Sequence, residues 1–172
     1  MKRDPRPPLK ARENYSRAFW LAPVTVMAGS LLGACLPIVV TFPIVPPFGL
    51  LMLIAWRMRR PDVFRSWTPL PLGLFDDLFS GQPLGAAMLL WTVANLALDA
   101  VDSRLAWRDF WQDWLVATSV IGGVLIVGRL IATPLGTHVD TALLLQIATS
   151  AALYPLVVRA VAAFDPREAR PA

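Results

Sequence analysis

Cysteine and histidine occur once each in a chain of 172 residues. A lone cysteine, Cys35, excludes an intramolecular disulfide and any cysteine-based metal site. Its apolar surroundings suggest that it packs as a small hydrophobe. A lone histidine, His138, does not make a metal site, and a Ser/His/Asp triad would have to use it although no nucleophile elbow is present. No metal, cofactor or catalytic residue is therefore expected, and the chain does not read as an enzyme. Charge is scarce too: 16% of residues are charged, against about 25% in a typical soluble domain. Hydrophobic residues reach 56% and the mean hydropathy is +0.54. A soluble core able to hide that much apolar surface would need a longer chain, because small domains bury proportionally less. The expected solvent is the lipid bilayer.

What charge there is follows a pattern. The net charge of +4 and a pI near 10.0 could suit nucleic acid, but the distribution argues against it. Of 16 Lys and Arg, six lie in the first 17 residues and four more between Arg57 and Arg65. They sit between apolar segments and line no helix face, as basic residues do when they select the cytoplasmic side of a membrane. No nucleic-acid partner is expected.

Residues 1–17 are basic and proline-rich and read as a cytoplasmic tail. The apolar run behind them is longer than a signal peptide's and lacks a small-residue cleavage site, so a retained first helix is expected. From Ala18 to Trp56 no residue is charged, a stretch of 39 residues where one span needs about 20. The run PIVPP at 43–47 supplies the break. The expected membrane domain covers 18–164, with helices at about 18–42, 46–58, 67–80, 83–101, 111–131 and 141–164. A cytoplasmic tail, 165–172, closes the chain. Arg57 is expected to snorkel to the headgroups from the short second helix. With both termini inside, the cytoplasmic segments hold 15 of the 16 basic residues. Only Arg129, near the outer end of the fifth helix, falls elsewhere. Trp20, Trp56, Trp67, Trp107, Trp111 and Trp114 fall near the inner boundary, where an aromatic belt would lie. The fold class that follows is all-α: an integral membrane protein of six transmembrane helices.

An ionisable group inside a membrane segment is expensive and needs a reason. Asp76 and Asp77 lie one turn from the outer end of the third helix, and neighbours on a helix point about 100° apart. Gly73, Asp77 and Gly81 recur every four residues and Gly85 continues the spacing, a pattern suited to close helix approach. Asp77 is thus the carboxylate expected inside the bundle, with Asp76 toward outer water. Two roles for Asp77 stay open: a cap or hydrogen bond to backbone near the SGQP turn, favoured by the turn chemistry, and ion or substrate binding. Asp99 and Asp102 are expected at the interface or paired with Arg104 or Arg108. Arg129 could snorkel outward or pair with Asp76, Asp77 or Asp140. Gly29 and Gly33 share one face of the first helix and mark a possible packing contact.

The run GLFDDLFSGQPLG (73–85) resembles the signature of the bacterial rod shape-determining protein MreD family. The matching positions are Gly73, Asp77, Leu78, Ser80, Gly81, Leu84 and Gly85, while Asp76 stands where the family often has an apolar residue. The short second segment with the basic exit at Pro61, and LYP at 153–155, are similar to the family's second and last helices. The resemblance implies a non-enzymatic component of the cell-elongation machinery in the bacterial inner membrane. Its implied partners are the bitopic shape protein MreC, the MreB filament, and the peptidoglycan transpeptidase and glycosyltransferase. The implied fold is similar to the substrate-binding membrane subunits of energy-coupling-factor vitamin transporters. That similarity carries the alternative function, a small-molecule transporter subunit. Its pocket would draw on helices 4 to 6, from Asn95, Thr118, Ser119, Gln146, Thr149 and Ser150.

Overall fold

Where water is absent, every backbone N–H and C=O must find a partner inside the chain, and a helix provides one locally. The structure is a computed structural model describing residues 9–35, 45–81, 83–104, 109–132 and 141–165. Both extreme tails, the first helix beyond Cys35, Pro43, Trp107, Arg108, His138 and Asp140 lie outside that set. Among the described residues the chain forms six helices and no strand. They are α1 (Leu9–Cys35), α2 (Phe48–Arg59), α3 (Pro69–Ser80), α4 (Ala86–Asp102), α5 (Phe110–Ala132) and α6 (Thr141–Phe164). Helix α1 begins at Leu9 and not near Ala18, because Lys10, Ala11, Arg12 and Glu13 are good helix formers even though three of them are charged.

Among the described residues, three helices are long and apolar enough to cross a membrane, over Arg17–Cys35, Phe110–Ile131 and Thr141–Phe164. Helices α2 and α3 have 12 residues each. At 1.5 Å per residue each is about 18 Å long, against about 30 Å of hydrocarbon. The short length of α2 has a physical reason. Gly49 to Leu51 and Leu53 to Arg57 are all buried, so the helix has no outward face. It packs on α1, α4, α5 and α6, while α1, α3, α4, α5 and α6 follow one another around it. A helix apolar on every side belongs in a core, and one enclosed by protein need not reach the headgroups at either end. Its crossing with α1 is close: a Cβ on Gly29 would lie 3.0 Å from the Phe48 carbonyl oxygen. Gly33 has open space around it and makes no such contact.

The outside of the bundle is apolar. Trp20, Leu32, Leu89, Val93, Leu115, Leu130, Leu144 and Leu156 are all exposed. In water such a surface would associate, and in lipid it is solvated. Cys35 belongs to this outer surface and is exposed, contrary to its expected packing inside. The tryptophans divide. Trp20, Trp67 and Trp111 point outward, as a belt requires. Trp56 is fully buried, with its indole N–H donating to Thr25 Oγ1 at 2.8 Å. Trp114 turns inward for another reason. Pro155 inside α6 has no N–H, which leaves the carbonyl four residues back, at Ala151, without its helical donor. The Trp114 indole N–H donates to that oxygen at 3.0 Å.

Two arginines close the same end of the bundle. Arg57 does not snorkel: its side chain is 5% exposed and pairs with Asp99 and, at 3.1 Å, with Asp102. This joins the end of α2 to the end of α4; of the partners expected for those aspartates, Arg108 lies outside the described residues. Arg60, 2% exposed, reaches Asp165 beyond α6 at 3.1 Å and Asp62 at 3.1 Å. Burial alone would lower the Arg60 pKa; its hydrogen bonds and charge contacts with Asp62 and Asp165 outweigh that and raise it above the ordinary value.

Candidate functional site

The turn between α3 and α4 must reverse the chain in five residues, and glycine makes that possible. Gly81 has φ 68° and Gly85 has φ 93°, both in the left-handed region that side chains disfavour. Gly81 ends α3 as a left-handed cap. Gly85 stands at the N-cap of α4, where Ser, Thr, Asp or Asn normally accepts a hydrogen bond from the first turn. A glycine cannot do this.

Asp77 does it from the preceding helix. Its carboxylate is 2% exposed, and it accepts from the N–H of Gly85 at 2.9 Å, Ala87 at 2.8 Å and Met88 at 3.2 Å. The N–H of Ala86 donates to Pro83 O and that of Leu89 to Gly85 O, so every amide at the start of α4 has a partner. A negative charge here also meets the positive end of the α4 dipole. Gly73, one turn back on α3, lets the helices touch: an added Cβ would lie 2.6 Å from Met88 Cα. Gly73 and Asp77 thus hold α3 against α4 by shape and by charge.

The remaining motif positions do other things. Gly81 and Gly85 have open space where a Cβ would stand, so they serve the turn and not the close helix contact that their spacing suggested. Leu78 and Leu84 are 64% and 73% exposed and Ser80 is exposed, so none of the three packs inside this chain. Asp76, on the neighbouring face of α3, is partly buried and lines a cavity of about 290 Å³ at this end of the bundle. The same cavity is lined by Arg129 and Gln146, with Leu50, Leu90, Trp91 and Leu125 among its apolar walls. Asp76 and Arg129 therefore face one space, whereas Asp77 is committed to backbone.

Three of the six polar candidates of the later helices are used locally, while the buried Asn95 amide and Thr118 hydroxyl have no hydrogen-bond partner among the described residues. Ser119 donates to Leu115 O, Thr149 to Leu145 O and Ser150 to Gln146 O, each the carbonyl four residues back. Asn95 is 1% exposed and lies away from the cavity lining. Among the described residues no group of three His, Cys, Asp or Glu could hold a metal ion. The inward turn of Trp114 was missed from sequence, although a proline in an apolar helix signals that some donor must reach the carbonyl four residues earlier. The family signature described as rod shape-determining protein MreD matches residues 16–161. No curated protein and no solved structure matches the chain.

Proposed function

The chain belongs to the MreD family of rod shape-determining proteins, and on that premise we propose that it is a non-enzymatic scaffold or regulator of lateral peptidoglycan synthesis. Membership brings with it a part in rod-shape determination and places the chain among membrane proteins. The proposal adds the arrangement: six helices crossing or entering the inner membrane, both termini cytoplasmic, in a fold like that of energy-coupling-factor binding subunits. It adds the partners as well: an MreC-type bitopic protein, the MreB filament directly or through others, and the transpeptidase–glycosyltransferase pair. The family match across 146 of 172 residues, 16–161, carries the reading. The α3–α4 clamp supports it by giving the motif a rigid outer hairpin whose leucines, Leu78 and Leu84, face away from the bundle. Such leucines suit contact with another membrane segment or with lipid.

The transporter alternative draws little support, since three of its six polar candidates, Ser119, Thr149 and Ser150, bond to their own helix and no family match points to transport. The test is genetic and biochemical together. Depletion in a rod-shaped host should give rounded cells, and the protein isolated in mild detergent should carry wall-synthesis partners. Normal rods after deletion would overturn the proposal.

A further inference from the structure

The arginines from Arg57 to Arg65 are not all used alike. Arg57 and Arg60 are buried against carboxylates. Arg65 is exposed, and among the described residues its guanidinium has neither an ion pair nor a hydrogen bond. Only its backbone N–H is engaged, donating to Thr68 Oγ1 at 3.1 Å. The Thr68 hydroxyl accepts there and keeps its own proton to donate. Both residues line a groove of about 380 Å³ between α1 and the connection from α2 to α3. Its floor is the buried pair Val63 and Phe64, and Trp20 and Trp67 stand on its rim, 68% and 58% exposed. Trp20 lies about one turn inside the apolar span that begins at Arg17, which places the groove where hydrocarbon gives way to headgroups.

Chemistry narrows the occupant. The lining holds one cation, Arg65, and no carboxylate; the rest of it, apart from Thr68, is aromatic or aliphatic. A molecule that joins a phosphate to a long apolar chain meets both halves of such a wall. With no carboxylate to receive an ammonium, an anionic headgroup is favoured over a zwitterionic one. Size argues against a helix from another protein. One helical turn, about 5.4 Å long and 10–12 Å across, fills roughly 500 Å³. That is more than the groove holds, whereas an extended acyl chain is much thinner. We propose that this groove binds an anionic phospholipid, with its phosphate on Arg65 and Thr68 and one acyl chain along Trp20 and Trp67. The site is separate from the α3–α4 clamp and independent of the proposed role in wall synthesis.

The test uses the full chain purified in mild detergent, with native mass spectrometry to compare retention of phosphatidylglycerol and phosphatidylethanolamine of equal acyl length. The anionic lipid should be retained about fivefold more, the scale of one arginine at a charged membrane surface. Arg65→Gln should bring the ratio close to one. Arg159→Gln removes an exposed arginine of α6 that is no part of the lining, and should leave the preference intact. That control separates a site from a general attraction of a basic chain for anionic lipid. Trp67→Ala opens the groove without touching its charge and should lower retention of both lipids together. Benzoylphenylalanine in place of Trp67 should form a lipid adduct on irradiation in membranes. Equal retention of the two lipids overturns the proposal, as does an equal loss of preference in Arg159→Gln. A crosslink from position 67 to another protein, with no lipid adduct, overturns it in favour of a docked segment. The lipid comparison and the crosslink can both be read even if Arg65→Gln fails to fold.

Discussion

At the scale of single residues, the described side chains do their clearest work by satisfying backbone groups that no water can reach. Asp77 covers three amides at the start of α4. Asp77→Ala removes all three acceptors and should destabilise the protein by about 2–4 kcal/mol. Asp77→Asn keeps one acceptor oxygen and should lose about 1–2 kcal/mol. Thermal unfolding in mild detergent checks both, and equal losses would mean that charge, and not hydrogen bonding, sets the strength of the cap. Trp114 offers the parallel case with a donor. Trp114→Phe keeps the ring and removes the N–H that serves Ala151 O, so it should cost about 1–2 kcal/mol. Combining it with Pro155→Ala should recover much of that loss, because the new backbone N–H supplies the missing donor.

At the scale of helices, close approach and buried ion pairs set the assembly. Gly73→Ala drives a Cβ to 2.6 Å from the α4 backbone and should cost about 1–3 kcal/mol by overpacking, whereas Gly33→Ala meets open space and should be nearly neutral. Unfolding temperatures of the two variants side by side decide it. The ion pairs rank in a similar way. Asp165→Ala leaves Arg60 buried with only the half-exposed Asp62, and should cost more than Asp99→Ala, after which Asp102 still holds Arg57. Six helical segments were legible in the sequence because apolar runs, prolines and arginine clusters are one-dimensional signals. The central place of α2 was not. A run such as Leu50 to Trp56 is apolar whether lipid or protein surrounds it, and only the packing of α1, α4, α5 and α6 on it tells the two apart. The same limit misassigned Arg57, whose partners Asp99 and Asp102 lie more than 40 residues away. At the motif, spacing pointed to one helix face through Gly73, Asp77, Gly81 and Gly85. It could not reveal that the last two are needed for left-handed backbone, since periodicity carries no information about where a helix stops.

At the scale of the molecule, three of the six described helices, α2, α3 and α4, are not among those long and apolar enough to cross a membrane, and α2 and α3 have only 12 residues each, yet basic residues alternate with apolar segments as six crossings would require. These facts are compatible if α2 and α3 enter from opposite sides of a domain whose outer helices carry the contact with lipid. Arg65, in the connection between α2 and α3, and Ser80, at the far end of α3, are both exposed and separate the possibilities. In a Cys35→Ser background, Arg65→Cys should react with an impermeant maleimide only after the inner membrane is opened, and Ser80→Cys should react in spheroplasts with that membrane sealed. Labelling of both from outside would make α2 and α3 a re-entrant pair. That arrangement would carry the arginines between Arg57 and Arg65 across the hydrocarbon, at about 2.5–3.5 kcal/mol for each unpaired charge. Arg57 and Arg60 have carboxylate partners that would reduce this cost, but Arg65 is exposed, and the cost falls on the outer surface of the bundle where lipid would meet it. An inside position for Arg65 is therefore the outcome expected from the charge distribution.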